Sequence, residues 1–264
     1  MLLLLKIGIT PLLVAAVSLA ARWWGPTIGG LLMGLPWFTG PTLFVLVHEK
    51  GIEFGAGACV GIQLGVVCVS SFMLAYGFIS RAAQWPASLA GAVMVFAATA
   101  WAAQDPSLLP ALTGGAIDPL WAATALALVA LVVTYALLPT PRSPPLLQSL
   151  PWWDIPMRMA TTAVLVAALM LTADVLGPQL SGVISTYPVI LTVVGTFTHH
   201  RWGREAAWRV MSGLTKSLVM FVTFFLIVGL ALPSLGLARS YVLASAVAIT
   251  IAALLLFLNQ RRPA

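Results

Sequence analysis

Charged side chains are what this chain has least of. Of its 264 residues, 13 are Lys or Arg and 7 are Asp or Glu, together 8%, where a soluble domain carries about 25%. Hydrophobic residues make up 61% and the mean hydropathy is +1.03, more apolar surface than one soluble core of this size can hide. The chain is therefore expected to be an all-α polytopic membrane protein. Cysteine is nearly absent too. Cys59 and Cys68 lie within one apolar span, which excludes a disulfide framework and gives no metal-ligand spacing; both read as small buried hydrophobes. No nucleotide-binding glycine loop occurs, and no basic patch is interleaved with aromatics in a polar region. Nucleic acid is thus excluded as a partner, no cofactor or metal is expected, and the net charge of +6 reads as a loop bias that orients the chain. The outward acids Glu49, Glu53, Asp105 and Asp118 have no catalytic spacing, so the chain is not expected to be an enzyme. The first span starts at Met1 and runs straight into a repeat, so no cleavable leader is expected.

What is present is a sequence that contains itself twice. Gly25-Pro26 recurs as Gly177-Pro178, Gly30 as Gly182, Pro36 as Pro188, and Val14-Ala15-Ala16 as Val166-Ala167-Ala168. The pattern His48, Gly51, Glu53 returns as His200, Gly203, Glu205. All these pairs share one gap-free offset of 152, the distance from Gly25 to Gly177.

A membrane helix needs about 20 mostly apolar residues. Spans are expected near 3–21, 25–47, 54–79, 86–103, 119–138, 156–175, 178–199, 206–231 and 239–259. The first four, shifted by the repeat offset, coincide with the last four, and the fifth has no counterpart. The expected plan is nine transmembrane helices as a 4+1+4 repeat: residues 1–104 the first four-helix unit, 105–153 a connector with one helix, 154–264 the second unit. A lone connecting helix changes sides, so the second unit is inverted. Loop charges agree. Arg22, Arg81, Arg142, Arg158, Arg201, Arg204, Arg209, Arg261 and Arg262 fall on one side, and only Lys6, Lys50 and Arg239 on the other. The bias predicts a cytoplasmic C-terminus and an N-terminus outside. The connector's inner flank, residues 139–151, is proline-rich and cannot continue a helix. Tryptophans at span ends, among them Trp23, Trp85, Trp121 and Trp153, read as interfacial anchors.

Interrupted helices survive in a membrane only inside protein or along a cavity. The second span holds Gly34, Pro36, Trp37, Thr39, Gly40 and Pro41, and its repeat partner holds Ser185, Thr186, Tyr187 and Pro188. Paired breaks in two related halves point to a central substrate site. Gln63 and Lys216 join the candidates. Lys216 lies about 18 Å inside the eighth span, where a cation is expected either to face an interior cavity or to snorkel outward. Lys6 and Arg158, paired by the repeat, are expected at the interface. His48 with Glu53, and His200 with Glu205, sit at opposite mouths; they read as helix-end residues complementing dipoles or as a symmetric pair of gates. Metal binding by His199 and His200 is not expected, because adjacent helical side chains diverge.

The segment GLLMGLPWFTGPTLFVLVHEKGIE, residues 30–53, resembles the GlpM-like family of small bacterial inner-membrane proteins. These are four-span units with a kinked G-L-x-P-x-x-P-T-like helix and an E-R-G-I-E-like turn. Here that turn reads Glu49-Lys50-Gly51-Ile52-Glu53. The second half, THHRWGRE, keeps only the turn's glycine and final glutamate, and Val193 stands where the first half has Pro41. The resemblance implies a duplicated, fused version of the small unit in a bacterial inner membrane, with a loose link to exopolysaccharide production.

The functional expectation is a secondary transporter or flippase working by alternating access. Its partners would be membrane lipids, a small amphiphilic, weakly anionic or lipid-linked substrate, a coupling ion (proton or sodium) and, in a homodimer, a second copy. The alternative is a non-transporting accessory subunit of an envelope polysaccharide or lipid pathway.

Overall fold

A computed structural model describes residues 2–36, 39–142, 151–185 and 187–260, with side chains described from Thr10 onward except at 170–185 and 251–260. Every regular element among the described residues is a helix: α1 (Leu2–Trp24), α2 (Pro26–Met33), α3 (Thr39–Lys50), α4 (Ile52–Ile79), α5 (Trp85–Ala102), α6 (Leu108–Thr113), α7 (Pro119–Leu137), α8 (Asp154–Ser185), α9 (Val189–Trp202) and α10 (Arg204–Gln260). Because apolar residues run all round these helices, glycine and proline decide where they stop. Pro26 opens α2, its missing amide harmless in a first turn. Asp118 caps α7 by accepting the Leu120 amide at 2.8 Å. In the connector loop, the Ser107 amide and hydroxyl donate to Asp105 at 2.9 and 2.6 Å. These bonds hold the Asp105 carboxyl below the usual carboxylate range.

Among the described residues, four helices are long and apolar enough to cross a bilayer: α4, α5, α7 and α10 over Arg204–Thr250. Large apolar side chains lie open on their outer faces, with Met94 68% and Val132 67% exposed. In water that surface would be unfavourable; in lipid it is the ordinary exterior. The chain is a helical membrane protein.

The helices differ from the expected spans in two places. The second expected span is split into α2 and α3. The turn expected at Gly177-Pro178 is not there, since α8 continues through it to Ser185. Element α10 covers the expected spans eight and nine, two helices that meet at Gly236 (φ 73°, ψ 175°), the one non-helical residue among its 57. That one residue reverses the chain. The Phe224 and Tyr241 rings stand 5.7 Å apart, whereas a straight helix would separate their Cα atoms by about 25 Å. Glycine tolerates the positive φ, and Pro233 has already removed one helical bond before it.

The repeat offset recurs in the backbone. Gly51, between α3 and α4, has φ 91° and ψ 172°; Gly203, between α9 and α10, has φ 84° and ψ 171°. Gln84, which precedes α5, stands one offset before the Gly236 reversal.

Helix α2 lies directly on the first arm of α10. A methyl at Gly30 would collide with the Val210 carbonyl and sit 2.9 Å from the Leu214 amide. One at Gly213 would collide with the Thr27 carbonyl, and one at Gly34 would sit 2.7 Å from Ser217 Cβ. Small residues at i and i+4 on both helices therefore bring the backbones into contact, the way membrane helices gain packing energy without a hydrophobic drive. Helix α4 packs on α5, α7 and α10, and α1 on α8 and α2. One buried cluster includes Val14, Phe72, Met73, Val194 and Met211. A second, toward the Gly236 reversal, includes Leu43, Val47, Cys59, Phe225 and Leu232. Cys59 and Cys68 are free and buried, as the sequence reading expects.

Candidate functional site

The first break starts where α2 ends at Gly34, buried against Ser217. Pro36 is half-buried and accepts the Gly40 amide at 3.1 Å, which starts α3. Trp37 lies outside the described residues. Thr39 is half-buried, Gly40 buried and Pro41 exposed. Pro41 has no amide to donate, so Gly40 is the last donor before the new helix settles. The Gly40 carbonyl accepts the Tyr241 hydroxyl at 2.8 Å, and Phe44 meets the same ring edge-on at 5.2 Å. The second arm of α10 thus fastens the far side of this break.

At the second break, Ser185 ends α8 with its side chain undescribed, and Thr186 lies outside the described residues. Pro188 caps α9 and accepts the Thr192 amide at 2.9 Å. The Thr192 hydroxyl donates to the Tyr187 oxygen at 2.9 Å, so this strap is closed on itself. The Tyr187 ring packs edge-on against Phe96 of α5 and Phe72 of α4, at 5.4 and 6.4 Å. Leu32 and Met33 before the first break, and Tyr187 and Ile190 at the second, all lean on the same buried cluster.

Gln63 completes this central region. It is fully buried, and its Nε2 donates to the Val222 carbonyl on α10 at 2.9 Å. Its Oε1 has no partner among the described residues. An open acceptor in an apolar interior is costly and marks a place where a donor from a bound molecule would be stabilised.

Lys216 does not join the site. Its side chain is exposed, on the stripe with Val219 and Leu230 that the bundle leaves uncovered, while Gly213, Ser217 and Phe224 take the inner face. Successive helical positions lie about 100° apart, so Lys216 falls on this outer stripe while Ser217 meets Gly34. Arg158 is enclosed by protein, 1% exposed, its Nε 2.7 Å from Asp154 Oδ2 and its guanidinium 5.2 Å from the Phe197 ring centre. Asp154 is itself fully buried and has Arg201 Nε at 3.5 Å from its other oxygen. The Asp154-Arg158 spacing of four was a readable signal for a helical ion pair; Arg201 and Phe197 come from another helix and were not readable.

The four proposed gate residues are not equivalent here. His48 and Glu53 are exposed at one end. At the other end, Glu205 Oε2 accepts the Arg142 amide at 3.0 Å and the His200 ring meets Trp85 at 6.0 Å. His199 and His200 do diverge. His199 Nδ1 lies 3.0 Å from the buried Tyr76 hydroxyl, a tie between α4 and α9 that sequence reasoning missed. No group of His, Cys, Asp and Glu fit for a metal occurs among the described residues.

Two cavities flank the α9–α10 turn rather than the breaks. One, of about 230 Å³, lies among Trp85, Trp153, Phe197, His200 and Arg201. The other, of about 390 Å³, is lined by Arg81, Arg142, Arg204, Glu205 and Trp208. Its three arginines were read from sequence only as orientation signals. Set against protein-family models, curated proteins and solved structures, the chain matches none of them.

Proposed function

We propose that the chain is a secondary transporter or flippase of a bacterial inner membrane, built as two inverted four-helix units around a connecting helix. Its nine crossings would place the N-terminus outside and the C-terminus in the cytoplasm. The observation that carries this reading is the pair of helix breaks, Gly34–Thr39 and Ser185–Val189, one repeat apart and leaning on one buried cluster. The near-identical backbone of Gly51 and Gly203 supports the duplication, and the positive-inside bias supports the inversion. Rocking one unit against the other would expose the breaks and the Gln63 amide alternately to the two sides.

Residues around the breaks are apolar or hydroxylated, and Lys216 is turned outward. That supports an amphiphilic or weakly anionic organic substrate, lipid-linked molecules included, over a sugar or multivalent metal needing many polar ligands. Coupling would come from a proton or sodium gradient. The accessory-subunit reading, in line with the GlpM-like resemblance, is favoured by one observation: both described cavities lie away from the breaks.

Purified protein in proteoliposomes separates the two. The transporter reading expects saturable, protein-dependent movement of a fluorescent amphiphile, abolished by Pro188→Leu in a variant that reconstitutes to the same level. Empty-vesicle rates across a panel of neutral and anionic amphiphiles would favour the accessory role.

A further inference from the structure

We infer that the larger cavity is a binding site for a phosphate ester, independent of whether the protein transports. Three separate chain segments each deliver one arginine to it: Arg81 just after α4, Arg142 after α7 and Arg204 at the start of α10. Helix ends meeting at one level place the cavity where lipid headgroups lie. The lining is held in shape. The Arg204 guanidinium donates to the Arg81 carbonyl, and Arg81 stacks 4.5 Å from the Phe78 ring centre. Glu205 receives the Arg142 amide, and Trp208 Nε1 donates to Ser80 at 2.8 Å.

Charge decides the ligand class. Three positive side chains line the cavity against one carboxylate. The first-turn amides of α10 add the positive end of its dipole at the same place. Guanidinium groups match phosphate oxygens two at a time. A volume of about 390 Å³ falls in the range of organic ligand sites and admits the group esterified to the phosphate as well. Trp208, buried and fixed by Ser80, gives that group an apolar wall.

The ester can belong to a membrane lipid or to a soluble molecule, and two arms distinguish them. In the first, full-length protein in phosphatidylcholine nanodiscs doped with phosphatidic acid is released into a native mass spectrometer and its retained lipids are counted. In the second, the protein in neutral detergent is titrated with glycerol phosphate while tryptophan emission is followed. Wild-type protein should retain phosphatidic acid over phosphatidylcholine if the source is lipid, or respond saturably to glycerol phosphate if it is soluble. Arg142→Gln and Arg204→Gln should each weaken that binding about tenfold, the loss of one charge-assisted hydrogen bond, and Arg22→Gln should not. Arg142 serves the fold through its backbone amide, so Arg142→Gln keeps that bond; an unchanged gel-filtration profile verifies it. Equal retention of the two lipids with no glycerol phosphate response overturns the inference. So does wild-type binding in the Arg142→Gln variant.

Discussion

Replacing Asp154 with Asn tests the buried charge network. Arg158 is 1% exposed and Asp154 fully buried, with 2.7 Å between Nε and Oδ2. Removing one partner of such a pair leaves an uncompensated charge and costs about 3–5 kcal/mol. Arg201, 28% exposed and 3.5 Å from the other Asp154 oxygen, is itself a cation, so it cannot replace Asp154; it can offset only the loss of Arg158, and by at most about 1 kcal/mol. Asp154→Asn is therefore expected to lose about 3 kcal/mol or more, and Arg158→Met a similar amount. The double variant Asp154→Asn/Arg158→Met buries no unpaired ion, and the Met side chain can still fill the space beside Phe197. It should recover most of the loss, giving a coupling energy of about 2 kcal/mol or more. Reversible unfolding in mixed micelles, followed by tryptophan emission, measures all three variants against wild type. Single losses below about 1 kcal/mol, or losses that simply add, would place Arg158 at a solvated interface and refute the reasoning.

Three further outcomes follow from the packing. Gly213→Leu pushes a side chain into the Thr27 carbonyl and should destabilise by about 1–3 kcal/mol in the same unfolding assay, with Ala falling between Gly and Leu. Gln63→Leu loses one hydrogen bond but also removes an unpaired acceptor, so stability should change by less than about 1 kcal/mol, while flux in proteoliposomes disappears if the amide serves the substrate. Lys216→Leu should leave both folding and any flux unchanged, since that side chain faces outward; loss of flux with normal unfolding would put the cation back in the site.

Turns were the readable part of this fold. Gly51 and Gly203 carry positive φ and were marked in the sequence by the repeated pattern His48, Gly51, Glu53 and His200, Gly203, Glu205; Gly236, also at positive φ, falls in the gap between the expected spans 206–231 and 239–259. Pro36 and Pro188 marked the two breaks for the complementary reason, a missing amide. Helix faces were not readable. Hydropathy around α10 is nearly uniform, so nothing in the sequence distinguishes the side of Ser217, pressed on Gly34, from the outward side of Lys216. The partners of Asp154 illustrate the same limit: Arg158 is four residues away, but Arg201 and Phe197 arrive through the packing of α9. The arginine cavity was hidden because each residue came from a different helix end, and each alone is an ordinary cytoplasmic-loop cation.

His48 and His200 are both exposed and stand one repeat apart, so their sidedness measures the inversion itself. In a background with Cys59 and Cys68 changed to Ala, His48→Cys and His200→Cys would each be probed in intact cells with a membrane-impermeant maleimide, then again after lysis. Two mutually inverted halves predict labelling at position 48 in intact cells and at position 200 only after lysis. Both positions reacting from the same side would contradict the inverted repeat and the alternating-access reading built on it.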